Sequence, residues 1–252
     1  RTDLNGKDLL DYSANTRGVE VLLNVIKESR NIERVIFTSS MYVCVPGYSP
    51  INENDYKPHT IYGESKVITE KLVKNFDKKY KWSIVRPTSI WGPWFGEPYK
   101  NFFDVILSNR YFHMGPKVCS KTYGFIDNVV DQILSLLNCS SIQMDGETFY
   151  LGDKDPYNIT HWADEIAHSS GKKIRTIPFI IFRLAALFGD FLNFLNIRFL
   201  MTSFRLKNMT TNNVYDLGKI HKVSGTDKVS REEGVKSTLY WLFKENDNYE
   251  AR

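Results

Sequence analysis

Apolar residues between Asp8 and Arg30 recur at helical spacing: Leu9, Leu10, Val19, Leu22, Leu23 and Ile26, with charges between them. That pattern predicts one amphipathic helix. The period then changes. Val35 to Phe37 in "RVIFTSS" form a short apolar run ending in three hydroxyl residues, and a loop with Pro46, Gly47, Pro50 and Pro58 follows, as when a buried strand opens into a loop. Thr60 is placed to cap a helix reaching about Tyr80, and "WSIVRP" reads as a second buried strand stopped by Pro87. Strand, loop, helix, strand is the grammar of a parallel sheet with crossover helices.

Beyond Gly92 the aromatic-rich "WGPWFGEPYKNFF" leads into a helix ending at Leu107. A strand-like "TYGFI", an Asp127-capped helix through Leu137 and the strand "ETFYLGD" come next. A Thr160-capped helix to about Ser170, the strand "KIRTI" and a closing helix, "SREEGVKSTLYWLF", complete the pattern. Between the last two lies "IPFIIFRLAALFGDFLNFLNIRFLM", interrupted by Arg183, Gly189, Asp190 and Arg198, which are costly on a spanning helix. The expectation is no membrane span but a pair of core-packed amphipathic helices, with a membrane-surface helix as the alternative.

Composition narrows the class. At 252 residues, 42% hydrophobic and 25% charged, the chain can bury a sizeable core and reads as globular, not disordered. A net charge of +4, with lysines and arginines interspersed among acids, argues against a nucleic-acid partner. Cys44, Cys119 and Cys139 lack disulfide-framework or zinc spacing, and the five histidines lack metal-ligand spacing, so no metal is expected. With a polar N-terminus lacking an apolar signal core, reduced thiols in the cytoplasm are the expectation.

The chemistry gathers at "IYGESKVITEKL". Ligands of open parallel sheets sit beyond the carboxyl ends of the strands, so Thr38 to Ser40 and Pro87 to Trp91 are candidate walls. A phenol with a pKa of about 10 is a poor base, and lowering it by about three units takes about 4 kcal/mol. Lys66 lies four residues after Tyr62, on the same helical face, where an ammonium favours the ionised phenol. Ser40 could bond the substrate oxygen. A Tyr-x-x-x-Lys pair alone is common. A hydroxyl-ended strand, a loop and then the pair in the next helix's first turns are far less so.

These residues resemble the extended short-chain dehydrogenase/reductases, the NAD-dependent epimerase/dehydratase group. "NTRGVEVLL", "VIFTSSMYV", "YGESK", "IVRPTSIWGP", "TYGFIDNVV" and "REEGVKSTLYW" are similar to that family's motifs and occur in its order across nearly the whole chain. The resemblance implies an α/β fold: a partial Rossmann-like parallel sheet with helices on both faces, plus a smaller C-terminal substrate-binding α/β region. The expected division is 1–92 with 120–152 for the NAD(P)-binding part, and 93–119 with 153–252 for the substrate part. The resemblance makes Tyr62 the general acid/base, Lys66 its partner and Ser40 the catalytic hydroxyl. Asn15, Ser39, Tyr62, Lys66, Pro87, Thr88 and Ser89 become cofactor contacts. Ser40, Met41, Tyr42, Thr88, Trp91 and Lys121 become substrate contacts, Lys121 standing where many nucleotide-sugar members carry an arginine.

The implied activity is NAD- or NADP-dependent epimerase or dehydratase chemistry on a nucleotide sugar. The alternative within the enzymes is a reductase or 3-beta-hydroxysteroid-dehydrogenase-like activity on an apolar alcohol or ketone. The helices "DLLDYSANTRGVEVLLNVI" and "IYGESKVITEKLV" resemble those through which the family forms homodimers. One departure stands out: the sequence holds no G-x-x-G-x-x-G, the turn that cradles the dinucleotide pyrophosphate. Arg1 corresponds to a point after the fourth strand of that fold. The chain is therefore expected to lack most of the cofactor-binding half, and a non-catalytic truncated remnant or binding module is the reading from another class.

Overall fold

The computed structural model describes residues 5–76, 81–140, 144–197, 199 and 201–250. They form two compact units, one within residues 5–90, 126–154 and 215–228 and the other within 91–125, 155–214 and 229–250.

The first unit is built on a parallel sheet. Strands β1 (Arg34–Thr38) and β2 (Lys81–Pro87) pair in parallel, Thr38 opposite Val85, and β7 (Glu147–Leu151) pairs in parallel with the far side of β2, Leu151 opposite Pro87. Successive side chains of β2 serve opposite faces, as the pleat requires. Trp82 and Ile84 pack with Leu23 and Ile26 of α1 (Arg17–Glu28) and Val73 of α2 (Ile61–Lys74). Val85, with Phe149 and Leu151, packs on the other face against Val129 and Leu136 of α4 (Ile126–Asn138) and Ile220 of α8 (Gly218–Ser224). The stretch carrying α8 was expected in the substrate part; it clusters with the sheet because Ile220 and Leu217 complete this core.

Local departures from the sequence pattern have physical causes. The helix expected over Asp8–Arg30 breaks at Thr16 into a 3₁₀ turn (Leu10–Asn15) and α1, with Tyr12 off helical geometry. Both Tyr12 and Asn15 are buried, and aiming them inward takes a different axis from the one that seats Leu23 and Ile26. Thr60 does cap α2, its hydroxyl accepting from Gly63 N at 3.0 Å. The helix ends at Lys74, short of the expected Tyr80; residues 77–80 lie outside those described.

In the second unit, which the chain enters along β3 (Ser89–Trp91), α3 (Lys100–Leu107) leads to β4 (Phe112–Met114), β5 (Ser120–Lys121) and β6 (Tyr123–Phe125). Lys121 pairs antiparallel with Tyr157 of β8 (Tyr157–Asn158), and β4 runs parallel to β9 (Arg175–Ile177). The cap of α5 (Ile159–Ser169) is Asn158, whose Oδ1 accepts from Thr160 N and His161 N, so Thr160 lies inside the helix rather than capping it. Trp91, Phe103, Tyr157 and Trp162 form an aromatic core. Glu165 of α5 pairs bidentately with Arg231 at the start of α9 (Arg231–Glu250).

The apolar stretch departs most. It forms one helix, α6 (Phe179–Phe194), with α7 (Ser203–Thr210) following it, and within α6 only Ala186 and Gly189 are buried, while most of its large residues face outward rather than into a core. Arg198 lies outside the described residues. Cys44 and Cys119 are buried free thiols, one in each unit, bonded to the carbonyls of Asp55 and Thr211.

One ion pair joins helix to sheet in the first unit. Glu70 of α2 is fully buried and accepts from Arg86 Nε at 2.8 Å and Nη2 at 2.7 Å, while Arg86 is 1% exposed. Removing one member of a buried, bidentate pair leaves the other charge without compensation. Glu70→Ala is expected to lower the unfolding free energy by about 3–5 kcal/mol in urea denaturation; a loss under about 1 kcal/mol would show that the pair does not hold α2 to the sheet.

Candidate active site

The site begins with a close approach. Ser40 ends the extended segment after β1, and its Oγ accepts from Tyr42 N at 3.2 Å, starting a single 3₁₀ turn over Met41–Val43. The first turn of α2 rests on that turn. A Cβ on Gly63 would overlap the Tyr42 carbonyl oxygen, so only glycine lets α2 come this near. The residue between Tyr62 and Glu64 is thus what brings "YGESK" against the end of β1.

Tyr62 is 7% exposed, its ring edge-on to Tyr42 at 6.2 Å and tilted against Tyr12 at 5.9 Å. Lys66, one helical turn later, is 8% exposed; its Nζ lies 5.9 Å from the centre of the Tyr62 ring and donates to the Thr38 carbonyl at 2.9 Å. Burial pushes the Lys66 ammonium below the usual lysine range, and the charge of Glu70 works against that shift. Asn15 donates through Nδ2 to Ser65 Oγ at 3.0 Å, which donates on to the Tyr62 carbonyl at 2.7 Å. Thr69 Oγ1 donates to the Asn15 carbonyl. The 3₁₀ turn before α1 is thereby tied to the backbone of the Tyr62 turn.

Ser40, Tyr42, Tyr62, Lys66 and Asn15 are therefore assembled around the carboxyl end of β1. The other expected contacts are engaged within the fold. Ser39 donates its hydroxyl to Glu70 Oε1 at 2.5 Å. Met41 is 4% exposed and packs into the core with Val85 and Val129. Thr88 donates both its N–H and its hydroxyl to the Leu151 carbonyl, extending the β2–β7 pairing past Pro87. Ser89 is buried at the start of β3. Trp91 is fully buried in the core of the second unit and donates to the Tyr157 hydroxyl at 3.2 Å.

Lys121, also in the second unit, lines a pocket of about 390 Å³ with Arg205, Tyr99, Phe102, Tyr123 and Trp162. Its Nζ donates to the Asn208 carbonyl at 2.9 Å, and burial lowers its pKa. Burial pushes Tyr111, in the same wall, up to about 12, so that hydroxyl stays protonated. Sequence reasoning missed Arg205, because nothing in the polar segment around it marks it. It also missed Glu70, although Tyr62, Lys66 and Glu70 recur at four-residue spacing on one face of α2. Among the described residues no group of three His, Cys, Asp or Glu side chains could hold a metal ion.

The arrangement is a buried phenol, an ammonium on the same helical face and a strand-end hydroxyl, which suits proton transfer at a carbon-bound oxygen. Known proteins share its frame. The N-acetyl-alpha-D-glucosaminyl-diphospho-ditrans,octacis-undecaprenol 4-epimerase of Escherichia coli O157:H7 is 25% identical over 244 residues, covering 93% of this chain and 72% of that protein. A structure of UDP-glucuronic acid 4-epimerase from Bacillus cereus with UDP-glucuronic acid and NAD matches at a TM-score of 0.68 and 17% identity, over 95% of this chain and 71% of that one. UDP-glucose 4-epimerase of Thermotoga maritima with UDP-glucose matches at 0.65 and 22%, over 93% and 71%. Residues 5–152, more than half of the sequence and all of the Tyr62 site, match the NAD dependent epimerase/dehydratase family, and to that family this chain belongs.

Proposed function

We propose that this chain carries the acid/base site of an NAD-dependent sugar 4-epimerase, with Tyr62 as the base. The observation that carries the reading is the placement of Lys66, buried on the Tyr62 face of α2 and fixed on the Thr38 carbonyl at the end of β1. Tyr62 and Lys66, steadied by Asn15 through Ser65, would hold the nicotinamide end of the cofactor. NAD, when bound, takes up and returns the hydride of the sugar carbon.

The chain's own residues handle the proton. Tyr62 accepts it from the sugar hydroxyl as that carbon is oxidised and returns it to the carbonyl oxygen when the carbon is reduced from the other side. Lys66, kept cationic beside the ring, favours the phenolate. Ser40 hydrogen-bonds the same oxygen and keeps it in reach. The relatives' names share a sugar joined to a diphosphate, so the proposed substrate class is the nucleotide sugars, in the cytoplasm. Lys121 and Arg205 in the second unit's pocket supply cations suited to a diphosphate, and Phe102 and Trp162 supply an apolar wall. The outward Val21, Leu22 and Val25 of α1 favour a homodimer through α1 and α2.

Tyr62→Phe is expected to lower kcat for UDP-sugar interconversion by the native protein about 10²–10⁴-fold with KM and thermal midpoint little changed; unchanged kcat would remove Tyr62 as the base, and net NADH oxidation with an apolar ketone would point to the reductase reading. Because burial lowers the Lys66 pKa, its ammonium is lost earlier as pH rises than an exposed lysine's would be. The alkaline limb of the kcat profile should therefore fall below the usual lysine range, and a rate level through that range would argue against a cationic Lys66. Sedimentation equilibrium should return a dimer that Val25→Glu converts to monomer; a monomeric parent would refute the α1–α2 interface.

A further inference from the structure

The helix α6 presents to its surroundings the side chains that a core helix would hide. Ile181, Leu184, Leu187, Phe188, Phe191 and Phe194 are each more than half exposed. At 100° per residue they share one arc of about 140° with Ile180. The opposite arc carries Ala186 and Gly189, which seat the helix: a Cβ on Gly189 would overlap the Met201 carbonyl oxygen. The small residues thus choose the inward side, and the large ones are left outward by design of the sequence. Phe204 of α7, packed beside α6, adds a ring 71% exposed. The stripe on α6 is of an extent that marks an interaction surface.

Charge identifies the occupant. Residues 171–210 hold seven lysines and arginines against Asp190 alone, a balance of +6 within a chain whose total is +4. The even interspersion expected of the whole chain therefore fails here, and the remainder is net negative. Lys173, Arg175, Arg183 and Lys207 are exposed, and Arg183 falls at the edge of the apolar arc. An apolar stripe with Arg183 at its edge, on a segment of net positive charge, suits the headgroup region of an anionic bilayer. A second copy would bring the same positive charge against itself. With 16 residues, α6 extends about 24 Å, short of the about 30 Å of a hydrocarbon core. Among the described residues no helix is long and apolar enough to cross a membrane, so α6 would lie along the surface.

We propose that α6, with Phe204 of α7, docks this chain on an anionic lipid bilayer. The inference rests on the second unit alone and stands apart from the chemistry of Tyr62.

Vesicle flotation tests it, using the whole chain with phosphatidylcholine vesicles or with phosphatidylcholine containing about a third phosphatidylglycerol. The chain should float at least about tenfold better with the anionic vesicles and lose that advantage in high salt. Leu184→Glu with Phe191→Glu should abolish flotation and leave the thermal midpoint unchanged, since both side chains are outward. No flotation of the parent chain, equal flotation with both vesicles, or a variant that floats like the parent would each overturn the proposal. So would a self-associated parent that ignores vesicles and is dissociated by the same two substitutions, which would assign the face to a second copy.

Discussion

The first unit depends on one buried charge pair. Glu70 sits in α2 with no exposure, and its two oxygens are shared among Arg86 of β2, Ser39 beyond β1 and Tyr56 of the intervening loop. Arg86 in turn donates to the Tyr150 hydroxyl on β7 and the Glu53 carbonyl. Two strands, the segment just past a third, a loop and a helix thus meet at one carboxylate and one guanidinium. Taking both charges out of water is costly, and the cost is offset only because nearly every donor and lone pair finds a partner. Burial alone would lower the Arg86 pKa; the hydrogen bonds and charge of Glu70 outweigh it and hold the guanidinium protonated.

That pair reaches the chemistry through the helix it anchors. Tyr62, Lys66 and Glu70 follow one another at single-turn intervals, so the structural anion at one end of the stripe supports the ammonium in its middle. Burial draws Lys66 toward neutrality and Glu70 opposes it. The residue that fixes α2 to the sheet thereby also keeps charge beside the Tyr62 ring, and fold stability and site electrostatics share a single group.

Much of this was legible in the sequence where local chemistry settles the matter. The strands around Val35 and Ile84, the Thr60 cap and the Tyr62–Lys66 pair all follow from periodicity, propensity and one capping hydroxyl. What escaped was whatever depends on direction rather than spacing. Ser39 and Ser40 are adjacent hydroxyls, yet one turns to Glu70 and the other caps the 3₁₀ turn, because neighbours on an extended chain point to opposite sides. Met41 reads as a loop residue beside the site but belongs to the core. Trp91 lies at a strand end suited to a ligand, and only the packing of Phe103, Phe125, Tyr157 and Trp162 around it reveals its burial. The three- and four-residue spacing of α6 is identical for a helix facing a core and one facing away from it; Ala186 and Gly189 decide, through how closely the backbone behind them approaches.

The two buried thiols give the units separate voices. Cys44 belongs to the first and Cys119 to the second, and burial raises the pKa of each, so neither offers much thiolate while its unit is closed. Alkylation of either one then requires local opening, and its rate measures how often that happens. Because Cys44 lies one residue past the turn that seats Gly63, its protection clocks the breathing of the Tyr62 site, while Cys119, beside Lys121, clocks the pocket wall. A single chain thus carries two built-in chronometers of motion.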